Sequence, residues 1–186
     1  SKRYGDANFE DFVAKGYLPE AIVNYIALLG WCPKTNKEKM TIEEMIEEFD
    51  VDGISKSPAI FDEAKMRWLN GEYLKAMTPD EFYKVSLPYI LKSKAGGKFH
   101  DYEISRLMQT RVDVLSDIPE KIDFLVDFDE YDVNMYVHQK MKVDFNVAKR
   151  ALKVAFDALV GLDDWTEDAI KEAMKSSAEA NGMKGG

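Results

Sequence analysis

One cysteine, Cys32, and two isolated histidines, His100 and His138, are all the thiol and imidazole groups that this 186-residue chain possesses. That excludes an internal disulfide and a cysteine-rich zinc site, and it points to a reducing, cytoplasmic setting. No apolar run approaches the roughly 18 residues needed to span a bilayer, and no charged-then-apolar leader stands at the start. Neither membrane attachment nor secretion is therefore expected. Catalytic signatures are missing too. There is no HExxH, no nucleophile elbow and no glycine-rich phosphate loop of the Walker or Rossmann kind. AGGK, residues 95–98, lacks the leading glycine spacing and the hydroxyl residue after lysine that would bind magnesium. Paired acids such as Asp163-Asp164 and Asp127–Asp129 belong to loops and helix ends rather than to acid–base chemistry. No catalytic residue and no metal ligand can be assigned. Alternating apolar–polar runs between turn residues, the mark of strands, are absent as well.

What is present is the composition of a globular protein, 46% hydrophobic and 32% charged, enough to bury a core. The net charge of −9 opposes nucleic-acid binding if read globally. The charge is uneven, however. TIEEMIEEFD (Thr41 to Asp50) is strongly acidic, whereas Phe82 to His100 carries four lysines and no acid. Asn134 to Phe156 holds Lys140, Lys142, Lys149, Arg150 and Lys153 against Asp144 alone. Basic faces on an acidic protein can bind RNA locally, and solvated helix faces look the same in one dimension.

Local signals are almost all helical. Pro19 opens EAIVNYIALLG, whose Ile22, Ile26 and Leu29 recur at helical spacing, with Gly30 at its end. Thr41 with Glu44, and Thr78 with Glu81, form capping boxes, the second with Pro79 at the first helical position. Asp62 caps EAKMRWL, and Asn70-Gly71 reads as a stop or tight turn. YEISRLMQTRVDVL shares an apolar stripe and PEKIDFLV makes a short helix. FNVAKRALKVAFDALVGL ends at Gly161, and Thr166 caps EDAIKEAMKSSAEA before Asn181-Gly182. The expectation is an all-α chain of about nine or ten helices, with a boundary near Met77–Pro79. Trp31 and Trp68 read as core, as large aromatics usually do.

Three stretches stand out in order: SKR at Ser1–Arg3, with Gly5 and Asp6 in a loop leading to a helix; GYLPEAIVNYIALLG at Gly16–Gly30; and FDEAKMRWLNGEY at Phe61–Tyr73. Together they resemble bacterial glutamyl-tRNA synthetases, whose catalytic domain ends in a KMSKS-type loop written K-[LI]-S-K-R. In that family the loop is followed by G-[YF]-L-P-E-A-[LI]-x-N-Y-[LI]-x-L-[LM]-G and F-D-x-x-K-[LM]-x-W-[ML]-N-G-x-Y. The resemblance implies a piece of a longer enzyme, cut inside its ATP-handling loop. Residues 1–76 would be the end of that loop and a stem-contact region, and residues 77–186 the first, cage-like helical-bundle anticodon-binding subdomain. The all-α character separates it from glutaminyl-tRNA synthetases, whose anticodon region is built from β-barrels.

By the same resemblance, the parent would join glutamate to its tRNA through an ATP-dependent glutamyl-adenylate, with magnesium. Lys2, flanked by Ser1 and Arg3, would contact the ATP phosphates in the parent and be idle here, with no cofactor bound. Arg111 falls on the arginine of the family's L-M-x-x-R-x-x-x-L stretch, here LMQTRVDVL, which the family places on a helix. It would read the last anticodon base, because a planar guanidinium can both bond a base edge and stack on it. The alternative for Arg111 is an ion pair with Asp113 or Asp117. Gln109 is a second base candidate, and Lys65 and Arg67 would position the tRNA stem without reading sequence. The expected partner is glutamate tRNA, bound by a monomer. The rival reading is a free-standing helical protein-interaction module whose lysines are ordinary surface charge.

Overall fold

The computed structural model describes residues 8–126 and 130–183. Its regular structure is helical: α1 (Phe9–Ala14), α2 (Pro19–Gly30), α3 (Ile42–Glu48), α4 (Glu63–Ala76), α5 (Pro79–Ile90), α6 (Asp101–Met108), α7 (Ile118–Ile122), α8 (Phe145–Val160) and α9 (Glu167–Ala180), with short 3-10 turns between them. Among the described residues extended pairing is limited to two isolated bridges, Trp31 with Ile54 and His138 with Val143. The all-α expectation holds. The helix starts follow their caps closely. Thr41 and Thr78 each accept the N–H of the glutamate three residues on, and that glutamate bonds back to the threonine N–H. Asp62 and Thr166 accept the backbone N–H groups of Lys65 and Ala169 as α4 and α9 begin. Asp164 bonds the N–H and hydroxyl of Thr166, the capping use expected of that acid pair.

Two compact units divide the chain, Ser1–Asp129 and Glu130–Gly186. The boundary expected between residues 76 and 77 lies inside the first unit, at the junction of α4 and α5. The physical reason is shared burial. Leu74 on α4 and Phe82 on α5 are both 0% exposed and pack into one cluster with Ile90, Ile104, Val112 and Ile118. Two further clusters complete the first unit. Tyr17, Ile22, Tyr25, Met66, Leu69 and Val114 lock α2 to α4, and Trp31, Met40 and Met45 close the end of α2 onto α3. In the second unit α8 and α9 lie side by side, and Ala148 is its one buried apolar residue among those described.

Tertiary structure overrides several local readings. Asn70-Gly71 is no stop: both residues are buried in mid-α4. The Asn70 side-chain carbonyl accepts the Leu18 N–H at 2.8 Å, and its amide donates to the Asp113 carbonyl at 2.5 Å. Gly71 leaves room for the Asp113 carboxylate, which would have to turn away from a Cβ at this position. The pair that looked like a turn therefore joins the start of α2, α4 and the chain after α6. Ile26 faces solvent, 58% exposed, because the buried face of α2 runs through Ala21, Ile22 and Tyr25 instead. Trp31 is buried as expected, whereas Trp68 is 42% exposed, since Met66 and Leu69 take the inner face of α4.

Candidate nucleic-acid interface

α6 ends at Met108, and Arg111 stands in the turn beyond it rather than on the helix. Val112 and Val114, both 1% exposed, pull the chain into the core and so end the helix. The turn leaves Arg111 exposed, with its Nη1 donating to the Leu107 carbonyl at 2.6 Å. That bond satisfies a carbonyl at the C-terminal end of α6, where a cation is favoured. No ion pair to Asp113 or Asp117 forms, so the carboxylate alternative does not describe this residue. Asp117 is engaged elsewhere, with Arg67 Nη2 at 2.5 Å.

Arg67 and Arg111, 44 positions apart by their numbers, meet in one open cleft of about 430 Å³, lined also by Asp113, Asp117, Glu120 and Lys121. Burial works against the charge on Arg67, but Asp117 and the Tyr17 hydroxyl outweigh it and hold its pKa above the ordinary value. Burial likewise raises Tyr17, while Arg67 lowers it. Three cations face three carboxylates here, so the cleft has no net attraction for phosphate. Arg67 is held by Asp117, and Arg111 is the guanidinium with donors to spare.

The remaining sequence candidates fall as follows. Gln109 is half-buried, and its amide donates to the Leu74 and Met77 carbonyls at 3.2 and 2.7 Å, holding the end of α4. Lys65 pairs with Glu38 at 2.7 Å, away from the arginine cleft. Ser1, Lys2 and Arg3, with Gly5 and Asp6, lie outside the described residues, as do Asp127–Asp129. Among the described residues no set of three His, Cys, Asp or Glu could hold a metal, and no helix is long and apolar enough to cross a membrane. Sequence reasoning missed Tyr17, Glu120 and Lys121 as neighbours of the arginines. No local signal marks them, because only the tertiary fold brings the turn before α2 and helix α7 to Arg67 on α4.

A second network supports the same helices. Buried Asn24 accepts the Met40 N–H at 3.0 Å and the Tyr73 hydroxyl at 2.9 Å. Burial, with Glu20 and Glu44 nearby, pushes Tyr73 up to about 12, so it stays a neutral donor. The GYLPEA and FDEAK stretches thus meet through Asn24–Tyr73 and Leu18–Asn70. Asn24, Asn70 and Tyr73 are structural pins rather than surface contacts.

The described residues thus form an all-helical chain with a solvent-facing arginine just beyond a helix end. Residues 41–186 match the family described as an anticodon binding domain, and residues 1–68 the catalytic domain of class I tRNA synthetases (E and Q). Glutamate–tRNA ligase of Clostridium novyi (strain NT) is 44% identical over 189 residues, covering 100% of this chain and 39% of its own length. That of Clostridium acetobutylicum is 43% identical over 190 residues, covering 100% and 38%. A solved glutamate tRNA ligase from Elizabethkingia meningosepticum CCUG26117, in complex with its amino acid, superimposes with a TM-score of 0.69 at 30% identity over 96% of this chain and 34% of its own. The chain belongs to the anticodon binding domain family and, along its whole length, is similar to part of glutamate–tRNA ligases. It spans somewhat under two-fifths of the length of these curated relatives.

Proposed function

We propose that this chain is the tRNA-binding part of a glutamate–tRNA ligase which, at full length, attaches glutamate to tRNA(Glu) through an ATP-dependent glutamyl-adenylate in the cytoplasm. By itself it binds tRNA as a monomer and does not catalyse the reaction. Within it, residues 1–76 serve the acceptor side and residues 77–186 the anticodon side. The observation that carries the reading is the exposed Arg111 guanidinium, fixed by one bond to the Leu107 carbonyl and otherwise unengaged among the described residues. A fork anchored at one nitrogen keeps its plane and its remaining donors for a splayed base. Gln109, Lys65 and Arg67 are engaged within the protein, so their part is to hold that geometry and to add backbone contacts that exchange with their present partners. Lys2, with Ser1 and Arg3, serves the ATP phosphates only in the full-length enzyme, with magnesium.

The test is binding of a glutamate tRNA transcript at several salt concentrations, alongside charging assays in the full-length enzyme. The chain binds the transcript, more weakly as salt rises. Arg111→Gln relaxes discrimination at the last anticodon base by about tenfold or more. Unchanged relative charging of glutamate and glutamine tRNAs would sink the Arg111 assignment, and absence of binding at low salt would return the chain to the interaction-module reading.

A further inference from the structure

The segment Tyr131–Val143 in the second unit is a compact, outward-facing element with an unusual composition. A 3-10 turn, Val133–Tyr136, leads into a tight hairpin closed by reciprocal bonds, His138 N–H to the Val143 carbonyl at 2.9 Å and Val143 N–H to the His138 carbonyl at 3.1 Å. Tyr131 and Tyr136, 52% and 37% exposed, stand edge to face with ring centroids 6.0 Å apart. The neighbouring Tyr131 raises the Tyr136 pKa. The hairpin that follows them in the chain carries Lys140, Met141 and Lys142, all exposed, at its tip. Glu130, Asp132 and Asp144 flank these lysines, so phosphate contact is confined to the hairpin tip, and two of the acids hold backbone groups. Asp132 takes the Asn134 N–H at 2.9 Å, and Asp144 takes the Val147 N–H at 2.9 Å as the cap of α8. Lys140 and Lys142 make no ion pair among the described residues.

Lys142 has a second peculiarity. It sits at φ 56° and ψ 37°, the left-handed region that glycine and asparagine adopt without penalty. Hairpin stability would be served better by glycine there, so the lysine keeps a strained backbone and a free charge together. Strain retained at a polar surface position points to use of the side chain. Exposed aromatic faces beside unpaired cations form the combination that binds single-stranded nucleic acid, bases on the rings and phosphates on the ammonium groups.

We propose that Tyr131–Val143 is a docking site for single-stranded RNA, stacking a base on the Tyr131–Tyr136 pair and holding its phosphates on Lys140 and Lys142. In this family context the RNA is an unpaired segment of the bound tRNA, and that part of the inference rests on the tRNA-binding reading above. The site lies outside the Arg67–Arg111 cleft and uses none of its residues.

Fluorescence anisotropy of the chain with two labelled probes, a glutamate tRNA transcript and a short unstructured RNA, tests it. Both probes bind the unaltered chain. Tyr136→Ala weakens both by roughly tenfold, while Tyr136→Phe, which keeps the ring, does not. Lys142→Gly lowers the salt slope by about 0.7 and leaves the urea midpoint unchanged or higher, since the backbone strain is relieved. If both probes bind and all three variants bind as tightly as the parent, the proposal falls and the tRNA reading stands. If only the short RNA binds, and the variants weaken it as stated, the docking site stands and the tRNA reading falls. Binding of neither probe overturns both. A lower urea midpoint in Lys142→Gly assigns that lysine a structural role and overturns its part in the site.

Discussion

The two units bury their apolar residues very differently. In the first, three clusters link helices far apart in sequence, and buried polar pins, Asn24 and Asn70, fix the spacing between them. In the second, α8 turns Leu152, Phe156 and Val160 outward at 53%, 63% and 68% exposure, and the described residues bury only Ala148. Arg150 ties α8 to α9 by donating to the Asn181 carbonyl at 2.9 Å, and Lys153 pairs within its own helix with Asp157. Such contacts are individually weak. The first unit can therefore hold an arginine at a set distance from its neighbours. The second offers exposed rings and cations on a scaffold that opens more readily.

Native-state hydrogen exchange should show this difference most strongly. Amides of α4 and α6 are expected to be protected on the order of a hundredfold more than those of α8 and α9; equal protection would erase the contrast. Next comes a matched pair of truncations read by urea unfolding. Leu69→Ala, at a fully buried position, should cost about 2–5 kcal/mol. Leu152→Ala, on the exposed face, should stay within about 0.5 kcal/mol, and a larger loss would mean that this face is covered in solution. Asn70→Ala removes two buried bonds and strands the Leu18 N–H and Asp113 carbonyl, for about 2–4 kcal/mol. Thr78→Ala, losing only the cap of α5, should cost about 1 kcal/mol.

Acid should produce the smallest effect, and mainly in the first unit. Lys37 and the Thr41 N–H hold Glu44 below the ordinary carboxylate value, and the Thr78 N–H and hydroxyl do the same for Glu81. Because the folded pKa is the lower one, the stabilisation is complete above the unfolded value. It disappears as pH falls through the folded value. Helix content of α3 and α5 should decline modestly below about pH 4.5, with Thr78→Ala removing the part due to α5.

Much of the candidate site was legible one residue at a time. Arg111 and Arg67 were identifiable from their motifs, but their common cleft was not, since it depends on Asp117 and Tyr17 arriving from distant turns. Arg111 was placed on a helix because LMQTRVDVL continues the apolar stripe. Val112 and Val114 prefer the core to that stripe and end the helix first. The hairpin at Lys142 went unread altogether, because no turn residue marks a left-handed position occupied by lysine.

Local chemistry by itself determined the helical class, the caps at Thr41, Asp62, Thr78 and Thr166, and the family motifs, because each depends on residues within a few positions of one another. The tertiary structure decided which faces are buried, that Asn70-Gly71 lies inside a helix, and where one compact unit gives way to the next. Those depend on surfaces meeting. A buried amide that satisfies two distant backbone groups, beside a glycine that leaves room for the Asp113 carboxylate, outweighs the preference of the same two residues for a turn.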